Sequence, residues 1–282
     1  MPGEPDAFPE EAMDEVAYLS RSASRVRILD ALVTESLTRS ELQNTTEIAR
    51  TTVGRIINEF EERGWVRRTV DGAYTATPTG EGVISEFKPF IESIQTIKDL
   101  GDLVVWLPTD EFTIDLHHFS DASVRRPDPT DPMSTIADFN ERLTGVSEFH
   151  CIVGVAPPIP FEQAMRDEVV NRGLNTEHVI TTDELTYLLE RPERLPRWRE
   201  YIDGGANVYQ YDGQVPCNLF VFDDTLIITN GQSDIGESLV GIKSENEAVL
   251  SWAHEVISEY KNEAERLDSS AFTEPTGNSD GS

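Results

Sequence analysis

The N-terminal part of the chain carries apolar residues at helical spacing. Between residues 12 and 34 they recur three or four positions apart, and the pattern breaks near Ser20 to Ser24, which indicates two consecutive helices. Thr38-x-x-Glu41 has the form of a capping box, in which each side chain satisfies a free amide at a helix start. A short helix is therefore predicted from about 39 to 44.

A third helix, counted from the one that ends near residue 34, is predicted next, together with a hairpin. Residues 50–63 place four apolar residues on one stripe, and Gly64 follows as a C-cap: the stripe is Val53, Ile56, Ile57 and Phe60. Residues 65–70 and 73–76 read as two short strands, because the Asp71-Gly72 pair readily adopts the positive φ angles of a tight turn. Three helices followed by a hairpin form a compact α+β unit.

A longer helix is predicted over residues 80–98, with Thr79 as its cap. Its apolar residues repeat at the spacing of a packed seam: Ile84, Phe87, Ile91 and Ile94. This helix is expected to link two domains and to offer a dimer interface.

Beyond residue 102, short apolar runs alternate with helical patterns. Strands are predicted at 103–107, 149–155, 178–180, 207–211, 219–222, 226–229 and 239–243. Helices are predicted at 161–172, from the capping box Thr181-x-x-Glu184 to about 190, and from a further box, Ser244-x-x-Glu247, to about 266. This order predicts a mixed α/β domain, with a strand order that the pattern leaves open.

The net charge is unusual for a protein that would bind nucleic acid. It is −29, from 52 acidic and 23 basic residues, and only four of the basic residues are lysines. This composition resembles proteins of salt-loving archaea, where charge reports on solubility in concentrated salt. Residues 21–88 differ, since they carry ten basic and ten acidic residues. Contact with phosphate would explain why this window is neutral.

The predicted third helix has a polar face opposite its apolar stripe, at about 100° per residue. Hydroxyl, amide and guanidinium groups on that face are the groups that read base edges in a major groove. Basic residues of the hairpin and of the second helix would contact phosphates. The candidate DNA-binding residues are Arg39, Arg50, Thr51, Thr52, Arg55, Asn58, Arg67 and Arg68.

The stretch from Thr38 to Val83 resembles winged helix-turn-helix regulators. In that family, a helix of the form S-R-S/T-T-V-x-R precedes a G-W/L-V-x-R strand, a hairpin and T-x-x-G. The resemblance implies that Thr51, Thr52, Arg55, Arg67 and Arg68 contact DNA. Ala49 departs from the family's Ser or Thr cap, so the helix start is left to Thr51 or to water, at a cost of up to about 1 kcal/mol.

Residues 100–266 resemble the effector domain of the archaeal methanogenesis-regulatory-protein family, common in haloarchaea. The similarity rests on Leu107-Pro108, on the segment Val153 to Pro160, on Phe220-x-Phe222-Asp223-Asp224 with the following strand, and on Ser251-Trp252-Ala253. It implies a domain that senses a signal or binds a partner.

The predicted organisation has five parts. Residues 1–10 are a disordered end, 11–80 a winged helix-turn-helix, 81–100 a linker and dimerisation helix, 101–267 the effector domain, and 268–282 a disordered tail. The fold class is an α+β N-terminal winged helix-turn-helix plus a C-terminal mixed α/β domain.

Enzyme motifs are incomplete. Gly80-x-Gly82-x-x-Ser85 lacks the third glycine of a dinucleotide loop, and Gly231 to Ile235 breaks the G-x-S-x-G pattern. The acidic residues are too many to single out a catalytic pair. No catalytic residue and no cofactor are therefore predicted.

A metal site is not predicted either. None of the five histidines lies in an H-x-K or H-E-x-x-H frame. Asp115-x-x-His118 could share a helix face, but His117 and His118 are neighbours and are expected to point apart, which leaves no third ligand. Cys151 and Cys217 lie in apolar runs and read as small core residues, with a redox-sensing thiol as the alternative.

A ligand pocket is weakly indicated in the C-terminal domain, since strand aromatics more often belong to a core. The candidates are Tyr209, Tyr211 and the loop from Asn230 to Gly236.

The acidic N-terminus and the lack of an apolar run of about 18 residues predict a cytoplasmic protein without a membrane partner.

The sequence thus predicts a transcriptional regulator, not an enzyme, that binds double-stranded DNA as a homodimer and responds to a small-molecule effector. Two alternatives stay open: an enzyme tethered to DNA, which a bound metabolite would favour, and a protein-binding adaptor, which an acidic surface over residues 50–63 would favour.

Overall fold

The computed structural model describes residues 9–107, 114–128, 130–131, 133–230 and 240–273. The chain divides into two compact units, the first ending at Glu92 and the second beginning at Ser93. Within the described ranges, no helix is both long and apolar enough to cross a membrane. The predictions for Pro108 and for residues 231–236 lie outside the described residues, as does the tail beyond 273.

The first unit is mostly helical. Its elements are α1 Glu10–Ser20, α2 Ala23–Thr34, α3 Arg39–Thr46, α4 Arg50–Glu62, β1 Val66–Arg68, β2 Tyr74–Ala76 and α5 Pro78–Leu100, which runs past the unit boundary. Leu29, Leu32 and Leu42 meet Ile56 and Phe60 in one fully buried core. Helix α1 begins at Glu10, the last residue of the range that the sequence predicts to be disordered.

Two helix starts in this unit show the chemistry of caps. At α3 the amide of Glu41 donates to Thr38 Oγ1 at 3.3 Å, and the amide of Thr38 donates to Glu41 Oε2 at 2.8 Å, so the predicted capping box is confirmed. At α5 the amide of Gly80 donates to Thr77 Oγ1 at 3.2 Å. The prediction of Thr79 as the cap is wrong, because α5 begins two residues earlier than its apolar seam suggests.

The hairpin between β1 and β2 has a longer turn than predicted. Arg67 pairs with Thr75, and the amide of Thr69 donates to the carbonyl of Ala73 at 2.8 Å, which encloses three residues, 70–72. Only Gly72 has a positive φ, at 84°. A turn closed by one glycine in the left-handed region explains why Asp71 needs no such angle.

The second unit is built on one mixed sheet of eight strands. Its helices are α6 Ser134–Leu143, α7 Ile159–Arg172, α8 Thr182–Leu189, α9 Leu195–Asp203 and α10 Glu247–Glu263. Its strands are β3 Ser123–Arg125, β4 Glu148–Val153, β5 Asn175–Thr181, β6 Asn207–Tyr211, β7 Cys217–Phe222, β8 Thr225–Asn230, β9 Gly241–Ser244 and β10 Glu265–Leu267. Short 3₁₀ helices span Gly101–Trp106, Leu116–Phe119 and Ser269–Phe272.

The strand order is β10-β6-β5-β4-β7-β8-β9-β3. β4, β5 and β6 run parallel, and the remaining pairs are antiparallel. Successive residues of β4 face opposite sides, so Cys151 packs under α6 to α9 and Ile152 packs under α10. The sheet is thus covered on both faces, as expected where parallel strands occur.

Several sequence predictions for this unit are wrong. The apolar run at 103–107 forms a 3₁₀ helix over Gly101–Trp106 and not a strand. The last helix is capped by Asn246, which accepts from the amides of Ala248 and Val249, and not by Ser244. The predicted disordered tail begins too early, because Phe272 is fully buried and stacks on Trp198 with ring centroids 5.3 Å apart.

Candidate functional site

Helix α4 presents two chemically opposite faces. Val53, Ile56, Ile57 and Phe60 are fully buried, which fixes the rotation of the helix about its axis. Arg50, Thr51, Arg55 and Asn58 are exposed on the other side, and Thr52 is half-buried. Ala49 is the N-cap and gives no side-chain hydrogen bond, so the start of α4 keeps its amides open. The structure therefore brings the predicted polar face together on one surface.

Arg55 is held by a carboxylate of its own helix. Its Nη1 lies 2.6 Å from Glu59 Oε1, and the side chain of Arg55 is still 55% exposed. Glu59 also accepts from the Tyr18 hydroxyl at 2.6 Å and lies 3.4 Å from Arg25. Partial burial opposes ionisation of Glu59, but the hydrogen bonds from Tyr18 and Arg55 lower its pKa. The Glu59 carboxylate is thus a stable anion, and it orients the guanidinium of Arg55.

Tyr18 anchors two further arginines of the first unit. The guanidinium carbons of Arg25 and Arg63 each lie 3.8 Å from the centre of its ring, a cation–π distance. Burial, followed by the hydrogen bond to Glu59, raises the pKa of Tyr18 to about 12. Arg63 also pairs with Glu15. Both arginines pack against side chains of the first unit. Not all ten basic residues of the range 21–88 are therefore available to contact phosphate.

Two predicted site residues contact each other. Arg39, at the start of α3, donates to Asn58 Oδ1 on α4 at 2.7 Å, and its guanidinium lies 5.3 Å from the ring of Tyr74. The side chain of Arg39 is half-buried as a result. Arg39 therefore ties α3 to the exposed face of α4, a contact that sequence spacing does not reveal.

The hairpin carries two exposed arginines and an apolar tip. Arg67 and Arg68 lie on β1, and the guanidinium of Arg68 lies 6.0 Å from the ring of Tyr74. Val70, in the turn, is fully exposed. Sequence analysis missed Val70, although a lone apolar residue beside an Asp-Gly turn is a readable signal of an exposed tip.

In the second unit, the tyrosines proposed for a ligand pocket are packing residues. Tyr209 and Tyr211 lie half-buried against the core under α10, and Tyr211 meets Tyr260 edge to face at 4.7 Å between ring centroids. Cys151 and Cys217 are buried, and burial followed by nearby Glu184 raises the pKa of the Cys151 thiol.

Two family models match the chain, one in each unit. Residues 13–99 match the HVO_A0261 N-terminal domain, a haloarchaeal domain family. Residues 132–263 match the middle domain of the methanogenesis regulatory protein FilR1. Residues 13–99 and residues 132–263 are thus each similar to a known domain family, and neither match alone covers half of the chain. The second match confirms the resemblance of the C-terminal residues to the methanogenesis-regulatory-protein family.

Three solved structures are similar to parts of this chain at low sequence identity. TrmBL2, described as an archaeal chromatin protein with a novel mode of DNA binding, is 17% identical over 90% of this chain and 99% of its own, with a TM-score of 0.40. The phospholipase D family member Nuc from Salmonella typhimurium is 11% identical over 52% and 99%, with a TM-score of 0.41. The regulator BldR from Sulfolobus solfataricus is 18% identical over 36% and 82%, with a TM-score of 0.27. A search among curated proteins found no match.

The second unit buries a charged network that sequence analysis missed. Glu162 of α7 accepts from Arg194 Nε at 3.0 Å, from Arg197 at 2.7 Å and from the indole of Trp198 at 2.9 Å. Arg194 also donates to the carbonyl of Pro157 at 2.6 Å. The network joins α7 to the start of α9 in the core. It is a structural element, because both main partners are almost fully shielded from water.

Two more ionisable groups of the second unit are buried without side-chain hydrogen bonds among the described residues. They are His178 on β5 and Glu184 on α8. Burial lowers the pKa of His178 to about 3. Burial, followed by nearby Glu162, raises the pKa of Glu184. His178 is therefore uncharged near neutral pH, and burial favours the protonated form of Glu184, which suits a core position.

The acidic and imidazole groups of the segment 114–121 converge, contrary to the sequence prediction. The rings of His117 and His118 lie 4.0 Å apart, and candidate ligand atoms of Asp115, His117 and His118 all lie within 4.8 Å of one another. The segment forms a 3₁₀ turn, in which residues i and i+3 eclipse. This places Asp115 and His118 on the same side, as their i, i+3 spacing predicts, whereas the approach of the His117 ring to that of His118 differs from the prediction that the two point apart.

Proposed function

We propose that the chain is a sequence-specific DNA-binding transcriptional regulator in which residues 11–80 act as a winged helix-turn-helix. Helix α4 would enter the major groove with Arg50, Thr51 and Arg55, and the hairpin would contact phosphates through Arg67 and Arg68. The observation that carries the proposal is the two-faced burial of α4, with fully buried apolar residues behind an exposed polar face. The match to a domain of a regulatory protein supports it.

The contacts of Arg55 and Arg39 refine this proposal. Arg55 would exchange its ion pair with Glu59 for a base edge, or bridge both, so Glu59 would hold the guanidinium ready before DNA arrives. Arg39 and Asn58 would act together, because their hydrogen bond orients both side chains along α4. Thr52, half-buried, would contribute through its hydroxyl at the helix start.

Replacement of Arg55 and of Arg67 by alanine separates base reading from phosphate contact. Arg55→Ala is expected to cost about 1–3 kcal/mol at the preferred sequence and to relax base discrimination, whereas Arg67→Ala should weaken all sequences alike and reduce the salt slope by about one. Titrations of fluorescent duplexes across a range of KCl concentrations measure both quantities.

Controls remove two ambiguities of that experiment. Arg172→Ala removes an exposed arginine from the second unit and should leave DNA affinity unchanged. The double variant Arg55→Ala, Glu59→Gln also removes the negative charge that the single variant leaves without its Arg55 partner, and discrimination should stay lost. Full retention of affinity and discrimination in both Arg55→Ala and Arg67→Ala would refute the proposed interface.

We also propose that the regulator is a homodimer through α5. Phe90, Ile91, Ile94 and Ile97 are exposed apolar residues at helical spacing on this helix. A second copy is the expected partner, because winged helix-turn-helix modules commonly read two half-sites related by a two-fold axis.

The dimer proposal predicts a change of mass on one double substitution. Phe90→Glu with Ile94→Glu should convert a two-chain particle into single chains, since it places two charges among the exposed apolar residues of α5. Light scattering in concentrated KCl measures the mass of the particle. Val105→Glu, at another exposed apolar residue, is the matched control and should leave the mass unchanged. A single-chain mass for the unsubstituted protein would refute the dimer.

We propose that the second unit modulates DNA affinity in response to a small-molecule effector. Its match to a regulatory protein supports this role. A DNA affinity that stays constant when the low-molecular-weight fraction of the producing cells is added would count against it.

A further inference from the structure

The segment from Ile114 to Asp121 alternates anchors with polar groups. Ile114 and Phe119 are buried, and Phe119 meets Trp252 of α10 edge to face at 5.9 Å between ring centroids. Asp115 is exposed between these anchors, and the two histidines are half-buried. The anchors fix the backbone, so the three polar side chains share one defined location at the edge of the core.

The far end of the segment is also fixed. Asp121 Oδ1 accepts from the Ser244 hydroxyl at 2.8 Å, and its Oδ2 accepts from the amide of Glu245 at 2.7 Å. Within the segment, the amide of His118 donates to the carbonyl of Asp115 at 3.1 Å. The 3₁₀ turn is therefore tied to the sheet and to the start of α10. The backbone that carries the three candidate ligands is thus fixed before any ion arrives.

We propose that Asp115, His117 and His118 bind a divalent transition-metal ion such as Zn²⁺, Ni²⁺ or Co²⁺. Two imidazoles with one carboxylate is a donor set of borderline softness that these ions favour, whereas Mg²⁺ and Ca²⁺ prefer oxygen ligands alone. Candidate ligand atoms lie within 4.8 Å of one another. Ligands of a tetrahedral ion lie about 3.3 Å apart, so small side-chain rotations close the set and leave a fourth position for water.

A second imidazole pair in the same unit is less suited to a cation. His150 and His254 have ring centroids 5.3 Å apart, and His150 Nδ1 lies 3.4 Å from Glu177 Oε2. The ammonium of Lys261 lies 2.9 Å from both oxygens of Glu177. This positive charge already occupies the carboxylate that a metal would need. The pair therefore serves as an internal control.

Metal titration of the full-length protein tests the site. Co²⁺ is added in concentrated KCl with excess Mg²⁺ to occupy the many surface carboxylates, and the visible absorption of nitrogen-coordinated Co²⁺ is followed; competition with Zn²⁺ then gives its affinity. One equivalent of Co²⁺ should bind per chain. Asp115→Asn, His117→Gln and His118→Gln should each lower the affinity at least about tenfold.

The variant His254→Gln is the matched control and should bind Co²⁺ like the unsubstituted protein. Thermal unfolding without metal checks the fold of each variant, and Asp115→Asn, at an exposed residue, gives the cleanest comparison. The proposal would be overturned if no Co²⁺ spectrum appeared or if the three ligand variants bound Co²⁺ as tightly as the unsubstituted protein. Loss of binding only in His254→Gln would overturn it as well. The test involves no DNA, so its outcome is independent of the proposed regulatory function.

Discussion

Replacement of Gly80 by alanine is expected to unfold most of the first unit. A Cβ atom at Gly80 would lie 2.1 Å from the carbonyl oxygen of Trp65 and 2.9 Å from its carbonyl carbon, and these are backbone atoms that cannot rotate away. The same oxygen accepts the amide of Thr77 at 2.9 Å, so a shift would also break the joint between the hairpin and α5. We expect a loss of about 3 kcal/mol or more, as for severe overpacking.

Thermal unfolding monitored by circular dichroism measures this loss, and Gly82→Ala is the matched control. Gly82 lies two residues further along α5, is exposed, and has no atom within 4 Å of a built Cβ. Alanine there should stabilise the helix by about 0.5–1 kcal/mol. If Gly80→Ala unfolds at the temperature of the unsubstituted protein, the approach of Gly80 to the carbonyl of Trp65 does not limit the side chain at this position.

The two glycines also show what the sequence could and could not predict. Gly80-x-Gly82 reads as an incomplete dinucleotide loop, and rejecting it required only the missing third glycine. The actual need for Gly80 comes from Trp65, fifteen positions earlier in the chain. Helical spacing gives no information on such an approach, because the contact joins two elements whose packing angle the pattern does not contain.

Local rules predicted the first unit well. The helices over 10–34, 39–46 and 50–62 follow from apolar periodicity and from one capping box, since these depend on residues three or four positions apart. Errors appear where the decisive contact is longer. The cap Thr77 was missed because the apolar seam begins later than the helix, and the pairing of Arg39 with Asn58 joins two helices.

The second unit was predicted less completely, for a related reason. Helices α6 and α9 and strands β3 and β10 are short or lie beside prolines, so their periods are too brief to recognise. The run at 103–107 is apolar on every residue, which cannot distinguish a buried strand from a 3₁₀ turn. Strand order depends on which faces α7, α9 and α10 cover, and this information is non-local.

The candidate site shows the same division between local and distant information. The exposure of Thr51 and Arg55 followed from the rotation of one helix about its apolar stripe. Glu59, which holds Arg55 in place, has partners on α1 and α2 that this rotation does not predict. A sequence can thus identify which face of a helix is outward, but not which side chains of other helices hold that face in a given arrangement.

Replacement of Arg194 by methionine is expected to destabilise the second unit strongly. Arg194 and Glu162 are the most buried ion pair among the described residues, with side chains 5% and 2% exposed. Loss of Arg194 leaves Glu162 in the core with Arg197 and the Trp198 indole as partners, and leaves the carbonyl of Pro157 without its donor. Breaking such a pair by removing one partner costs about 3–5 kcal/mol.

The fold offers a control that also bridges α7 and α9. Arg166 pairs with Glu200 between these two helices, but the side chains are 31% and 54% exposed, so Arg166→Met should cost at most about 1 kcal/mol. The double variant Glu162→Met, Arg194→Met removes both charges together and should regain part of the stability lost in Arg194→Met, because the Glu162 carboxylate is no longer left in the core without its main partner, although Arg197, 19% exposed, loses its ion pair. Equal denaturant midpoints for Arg194→Met and Arg166→Met would show that the buried network does not stabilise the domain. A double variant no more stable than Arg194→Met would instead locate the loss in packing or in the bond to Pro157, and not in the stranded carboxylate of Glu162.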